Sequence, residues 1–242
     1  MINFFATQFL NFFDYFHKLK IIKKLRKINN KFFFRTIFDI GAHKGETIKL
    51  FLKNMRAENI YSFEPSTSSF RILLKETNCL KKRFKDTNIF IENFAIGNES
   101  KKVELHCLNE TSSSTINSLN ESSKYFKKKE KIFGKLVKEK TIIEQIDFKE
   151  YLIKKNIKNI DLLKIDTEGY ELEVLKGLKE LISNVSIILF EHHYDNMIMK
   201  NYTFSDIHKL LIEKNFKCVF KIKMPFRKSF EYIYIKKLSK NI

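Results

Sequence analysis

The stretch Phe38-Asp39-Ile40-Gly41-Ala42-His43-Lys44-Gly45-Glu46-Thr47 (38–47) decides the fold. Residues 36–40 form a short apolar run of strand character, and residues 46–55 carry a helical apolar period. The two glycines therefore sit in a strand–turn–helix junction. Glycine is scarce in this chain: six in 242 residues, where ordinary usage would give about 17. In such a composition each glycine that remains has a backbone reason. Gly41 permits the sharp turn off the strand. Gly45 lets the helix begin close to a ligand whose negative end faces its free N–H groups. The spacing is G-x-x-x-G rather than the G-x-G-x-x-G of dinucleotide loops, which points away from a pyrophosphate ligand.

Outward from this junction, strands and helices alternate. Residues 59–64 read as a strand, and Ser66 as the cap of a helix bearing Phe70, Leu73 and Leu74. Residues 88–96 and 102–108 read as strands joined through Gly97-Asn98. Residues 109–140 read as a polar and basic loop insertion, Ser/Thr/Asn-rich and then lysine-rich. A strand near 140–145 and a helix over 147–155 follow. Residues 159–166 form a strand apolar on both faces except at Lys164, as a buried parallel strand should be. A helix over 170–183, a strand over 185–192 and a helix over 204–214 come next. Strands over 216–222 and 229–237, an antiparallel hairpin about Met224-Pro225-Phe226, close the chain. This order predicts an α/β fold with a doubly wound, mostly parallel seven-stranded sheet over 36–242. A Phe-rich basic segment over 1–35 precedes it.

In that first segment Phe5, Phe9, Phe12, Phe16 and Leu19 recur at steps of four and three, an amphipathic helical period. It suits a helix packed on the domain by its Phe stripe, or an interfacial helix lying on an anionic membrane. The lysines follow the apolar part instead of preceding it, the reverse of a signal peptide. No run approaches the ~20 apolar residues of a membrane span. Cys79, Cys107 and Cys218 are scattered and form no C-x-x-C, which argues against a disulfide framework or structural zinc and suits a reducing cytoplasm.

The net charge of +18 suggests a polyanionic partner. Only six of the 46 basic residues are arginine, the preferred fork for phosphate and base edges, so a nucleic-acid partner is not expected. The excess lies in residues 1–35 (+7), 124–140 (+6) and 214–242 (+8), which leaves the rest of the chain at −3. A solvated basic rim is the default reading of these segments.

The chemistry gathers at strand ends. Asp39, two residues before Gly41, fits a cationic ligand better than a pyrophosphate. Glu64 ends the next strand, 23 positions after Gly41, where a carboxylate can accept both hydroxyls of a ribose. An adenosyl ligand with an amino-acid tail and no phosphate meets both demands, and S-adenosylmethionine is such a molecule. Asp166 and Glu168, in Lys164-Ile165-Asp166-Thr167-Glu168-Gly169, lie at the end of the buried strand. They could orient an acceptor hydroxyl, take its proton or hold a divalent cation; Glu168 could instead cap the next helix. Glu191-His192-His193-Tyr194 ends the following strand, with Glu191 and His193 on one side of it. Each suits a general base or a structural hydrogen bond.

Taken together, FDIGAHKGETIKLF (38–51), YSFEPS (61–66), ENFAIGNES (92–100), the loop at 112–115, DLLKIDTEGYELEVLKG (161–177) and IILFEHH (187–193) resemble the FkbM family of S-adenosylmethionine-dependent methyltransferases. The resemblance covers about residues 36–195. It implies a class I methyltransferase fold and O-methylation of a hydroxyl, often on a sugar, glycan or secondary metabolite. It carries Asp39, Gly41, Ala42, His43, Gly45 and Glu64 over as cofactor contacts, with Asn93 and Ala95 near the adenine and Asp166 near the methyl group or acceptor. Adjacent prolines of the kind used by amino-group methylases are absent, since Pro65 and Pro225 are the only two. A nucleotide-dependent oxidoreductase and a non-catalytic basic binding protein are the alternatives.

Overall fold

Apolar runs such as residues 160–165 and 185–190 can be covered on both faces only inside a sheet flanked by helices. That is the arrangement found in the structure, a computed structural model. It describes residues 2–108, 114–136 and 138–237 and, from Phe12 onward, their side chains apart from those of Phe133 and Lys138. The elements run α1 (Ile2–Ile28), β1 (Phe33–Ile40), α2 (Glu46–Asn54), β2 (Arg56–Phe63), α3 (Thr67–Arg83), β3 (Asn88–Glu92), β4 (Ala95–Gly97) and β5 (Lys101–Leu108). They continue with α4 (Lys124–Phe133), β6 (Lys138–Asp147), α5 (Phe148–Lys154), β7 (Ile160–Ile165) and α6 (Glu171–Gly177). A 3₁₀ helix (Lys179–Asn184), β8 (Val185–His193), α7 (Phe204–Glu213), β9 (Phe216–Lys223) and β10 (Ser229–Lys236) complete the chain.

The main sheet has seven strands in the order β3-β2-β1-β7-β8-β10-β9. From β3 to β8 neighbours are parallel, and β10 runs antiparallel to both β8 and β9. The chain leaves β1 toward β2 on one side and returns to β7 on the other, so the sheet has a switch point between β1 and β7. Ligands of open α/β sheets bind at the carboxyl edge of such a point. Alternation along the strands sends Phe38, Phe63, Leu163 and Phe190 to one core, shared with α5, α6 and α7. Ile37, Ile60, Leu162 and Leu189 go to the other, shared with α1, α2 and α3. Three further strands, in the order β4-β6-β5, form a small second sheet.

Four expectations change. The run expected as one strand over 88–96 divides between two sheets at β3 and β4. The lysine run inside the expected loop insertion is helical: Ser123 caps α4 by accepting from the Phe126 N–H, and Phe126 is buried. The helix expected over 170–183 ends at Gly177 and continues as the 3₁₀ turn. In α1, Phe12 and Phe16 are exposed, while His17, Ile21, Ile22 and Leu25 are the buried residues. The Phe stripe is thus not the packed face at these positions; the side chains of Phe5 and Phe9 lie outside the described ones. No described helix is long and apolar enough to cross a membrane.

Candidate active site at the carboxyl edge of the sheet

The switch point opens into a cavity of about 690 Å³. Its floor is the turn after β1. Gly41 adopts φ +82°, and its N–H, like that of Ala42, donates to the Phe63 carbonyl at 3.0 and 2.9 Å. A Cβ on Gly41 would stand 1.9 Å from the Asp166 carbonyl oxygen, so only glycine lets β1 and β7 close over this edge. Gly45 (φ +90°) leads into α2, whose first turn has no side-chain cap. The N–H groups at that end have no intrahelical acceptor, and Glu46 and Thr47 line the cavity.

Glu64 lines the cavity next to this turn and is buried. Its Oε2 accepts from the His43 N–H and its Oε1 from the Ser66 N–H, both at 2.8 Å. Each carboxylate oxygen can accept further bonds, so a diol brought to the cavity meets a carboxylate already fixed in place. Burial raises the Glu64 pKa, and these two backbone donors oppose the rise. Phe94, Ala95 and Ile96 supply an apolar part of the lining.

Asp39 is placed otherwise than expected. It is fully buried, does not line the cavity, and lies in register with Lys164 of β7. The Lys164 ammonium stands 2.9 Å from Asp39 Oδ1, donates to the Gly41 carbonyl at 2.9 Å, and reaches Asp166 Oδ2 at 3.5 Å. Burial alone would lower the lysine pKa, but Asp39 and Asp166 override it and keep the side chain cationic. Asp39 therefore anchors the lysine beneath the floor instead of meeting a ligand. Asn93 also stays off the cavity lining, donating to the carbonyls of Glu64 (2.8 Å) and Pro65 (3.2 Å). The remaining expected contacts, Gly41, Ala42, His43, Glu64 and Ala95, line the cavity, and Gly45 starts the helix behind it.

Asp166, Glu168 and Glu191 line the same cavity. The Asp166 side chain is 37% exposed, against 0% for Asp39. Burial opposes its ionisation, yet Lys164 and then His193 hold its pKa below the usual carboxylate range. Glu168 adopts φ +53° in a turn held by Glu171, whose Oε1 accepts from the Thr167 and Gly169 N–H groups at 3.2 and 3.0 Å. The next helix begins only at Glu171, so Glu168 does not cap it. The Thr115 hydroxyl and the Asn117 amide clamp the same turn, donating to the carbonyls of Glu168 and Gly169 at 2.6 Å.

His193 backs these carboxylates without lining the cavity. Its Nε2 is 3.2 Å from Glu168 Oε2 and 3.3 Å from Glu191 Oε1, and its Nδ1 is 3.7 Å from Asp195 Oδ2. Burial disfavours the imidazolium, but Glu168 and Glu191 reverse that and push its pKa up to about 10. Burial pushes Glu191 up to about 8, with His193 opposing. Glu168 Oε2, Glu191 Oε1 and His193 Nε2 are all buried, and the two carboxylate oxygens find their opposite charge in the one imidazole nitrogen between them. Among the described residues, no three His, Cys, Asp or Glu side chains are grouped so as to hold a metal ion.

The cavity also has a roof that sequence reasoning missed. Asp14, Tyr15 and Lys18 of α1 and Arg227 and Glu231 of the β9–β10 hairpin line it. Arg227 Nη2 donates to Asp14 Oδ2 at 2.9 Å, and His17 pairs with Glu231. These partners lie more than 200 positions apart, so no local pattern could reveal them. Lys164 left a legible sign: a cation in an otherwise apolar strand needs a buried anion beside it.

The sequence model of the family described as "Methyltransferase FkbM domain" matches residues 39–220. No curated protein matches the chain. Among solved structures, methyltransferase FkbM from Methylobacillus flagellatus KT is similar with a TM-score of 0.54 and 13% identity over 83% of this chain; this chain spans 43% of that one. Magnesium protoporphyrin IX methyltransferase from Synechocystis PCC 6803, solved with bound S-adenosylmethionine, gives 0.51 and 8% identity over 90% of this chain and 77% of that one. At these identities the structures speak for the fold, which is that of the class I methyltransferases, and the family match speaks for descent. The chain belongs to the FkbM methyltransferase family.

Proposed function

We propose that this chain is an S-adenosylmethionine-dependent O-methyltransferase acting on a hydroxyl of a sugar, glycan or secondary metabolite. The convergence of Asp166, Glu168 and Glu191 on the same cavity as the Gly41 turn and Glu64 carries this reading. The donor set fits the cofactor. Glu64 suits the ribose hydroxyls, residues 94–96 the adenine, the uncapped start of α2 the carboxylate tail, and the acidic wall the sulfonium. When bound, the cofactor supplies an electrophilic methyl group on a positively charged sulfur.

The chain's own residues do the rest. Lys164 fixes Asp166, which stays ionised and faces the positive charge. Glu191, whose pKa burial pushes up to about 8, accepts the proton of the acceptor hydroxyl as its oxygen becomes a nucleophile. His193, paired with both Glu168 and Glu191, holds Glu191 in position. Positioning the oxygen in line with the methyl group would supply much of the rate, and α1 and the hairpin cover part of the cavity. An oxidoreductase would need a pyrophosphate loop that the glycine spacing does not provide, and a non-catalytic binder would have no use for a tuned carboxylate wall.

S-adenosylhomocysteine at about a hundred times its dissociation constant stabilises a folded protein by roughly 2.7 kcal/mol. It is therefore expected to raise the melting temperature, with NAD causing no shift. Asp166→Asn is expected to keep the shift while lowering turnover about a hundredfold or more. No shift from a folded chain would remove the cofactor assignment, and full turnover in Asp166→Asn would remove its role.

A further inference from the structure

Helix α1 carries two opposed faces. His17, Ile21 and Leu25, spaced i, i+4, i+8, are buried against the sheet. At 100° per residue the opposite side bears Phe12, Phe16, Lys20, Lys23 and Lys27, and all five are exposed. Phe12, Tyr15 and Phe16 are 58%, 55% and 47% exposed. Their rings touch one another: the Phe12 and Phe16 centroids are 4.8 Å apart, and those of Tyr15 and Phe16 are 5.8 Å apart. The outer face is thus aromatic at one end and basic at the other. Tyr15 belongs both to this face and to the cavity lining, where Lys18, Lys49 and Lys53 also stand.

We propose that this face docks on an anionic lipid bilayer, and that the acceptor hydroxyl belongs to a lipid-linked molecule taken at that surface. The second half rests on the methyltransferase reading. Aromatic rings settle at the boundary between headgroups and acyl chains, and lysines beside them meet anionic headgroups. Residues 1–35 hold eight basic residues and one acid, so the charge of the segment complements such a surface. A second copy of the chain would bring a face of the same sign and is a poor occupant. With the rings in the interface, Tyr15 puts the cavity mouth at headgroup depth, where an amphiphile can offer its polar end while its tail stays in the bilayer.

The test is co-sedimentation of the full chain with phosphatidylcholine vesicles, with and without phosphatidylglycerol. Binding is expected only with the anionic lipid. It should fall about tenfold or more in Phe12→Ser/Phe16→Ser and again in Lys20→Glu/Lys23→Glu. None of these four residues lines the cavity, so both variants are expected to keep the S-adenosylhomocysteine thermal shift, which also reports that they fold. Absence of binding by the parent chain, or equal binding by both variants, would overturn the docking. A concentration-dependent dimer abolished by the Phe variant would overturn it in favour of a second copy. For the acceptor, label transferred from a tritiated methyl donor to a membrane extract is expected in the chloroform-soluble fraction. Label confined to water-soluble products would overturn that half. Loss of the thermal shift in the parent chain would strike the methyltransferase reading and leave the vesicle result standing.

Discussion

Lys164 ties the buried frame to the chemistry. It compensates Asp39, which no solvent reaches, and it points the same ammonium at Asp166. Removing one member of a buried ion pair costs about 3–5 kcal/mol because the other charge is stranded. Lys164→Met is therefore expected to lose about that much in urea unfolding, and the double variant Asp39→Asn/Lys164→Met to recover part of it. A single variant as stable as the parent would mean that the pair carries no weight. Glu191 gives the residue scale a second test. With its pKa near 8, the base is increasingly deprotonated as pH rises, so kcat/KM should climb through neutrality and level off above about pH 8. Glu191→Gln should lie about a hundredfold lower and lose that rise; a flat profile in the parent would assign the proton to another group. Asp166 and Glu64 were legible in the sequence because each ends an apolar strand. Asp39 was visible too, but its partner decided its role, and a partner on another strand is set by register, not by local pattern. His193 was likewise legible as a strand-end residue, while its place behind the acids depended on how Glu168 turns.

At the scale of elements the reading succeeded where a hydrophobic period dictated the answer, as in β1, β7 and β8, and erred where tertiary pairing overrode it. Residues 88–96 look like one strand, but β4 pairs with β6 in the second sheet. The lysine run at 127–131 looks like a solvated loop, yet a Ser cap and one buried Phe126 suffice to hold it as helix. The junction after β1 was read correctly, and its two glycines are separable by experiment. At Gly41 an added Cβ meets the Asp166 backbone at 1.9 Å, and backbone cannot yield without parting β1 from β7. At Gly45 it meets the end of the Leu73 side chain at 3.0 Å and the Glu76 Cβ at an ordinary 3.9 Å, which leaves mainly the left-handed strain of about 1–2 kcal/mol. Gly41→Ala is expected to abolish folding or cofactor-product binding, and Gly45→Ala to lower stability by roughly that strain. Equal urea midpoints for the two would show that the close approach at Gly41 relaxes freely.

Across the whole molecule, the segment that looked most like an appendage is joined to everything else. The charge count set residues 1–35 apart as a basic end, and composition alone could not reveal that Ile21, Ile22 and Leu25 enter the same core as Phe34, Ile37 and Phe51. Nor could it reveal that Asp14 and His17 pair with Arg227 and Glu231 from the far end of the chain. A chain beginning at Asn30 would expose that core face and open the roof of the cavity together. Burial of each such aliphatic side chain is worth about 1.5–3 kcal/mol as an upper value, so the three together represent roughly 5 kcal/mol or more. In a domain of this size 1 kcal/mol moves the midpoint by about 2–4 °C, which puts the expected loss at roughly 10–20 °C. Phe12→Ser/Phe16→Ser, which alters the outer face and not the inner one, is expected to melt within about 2 °C of the parent, since exposed substitutions cost little. If the shortened chain melted with the parent and bound S-adenosylhomocysteine as well, α1 would be an ornament on the sheet and the roof would not belong to the site.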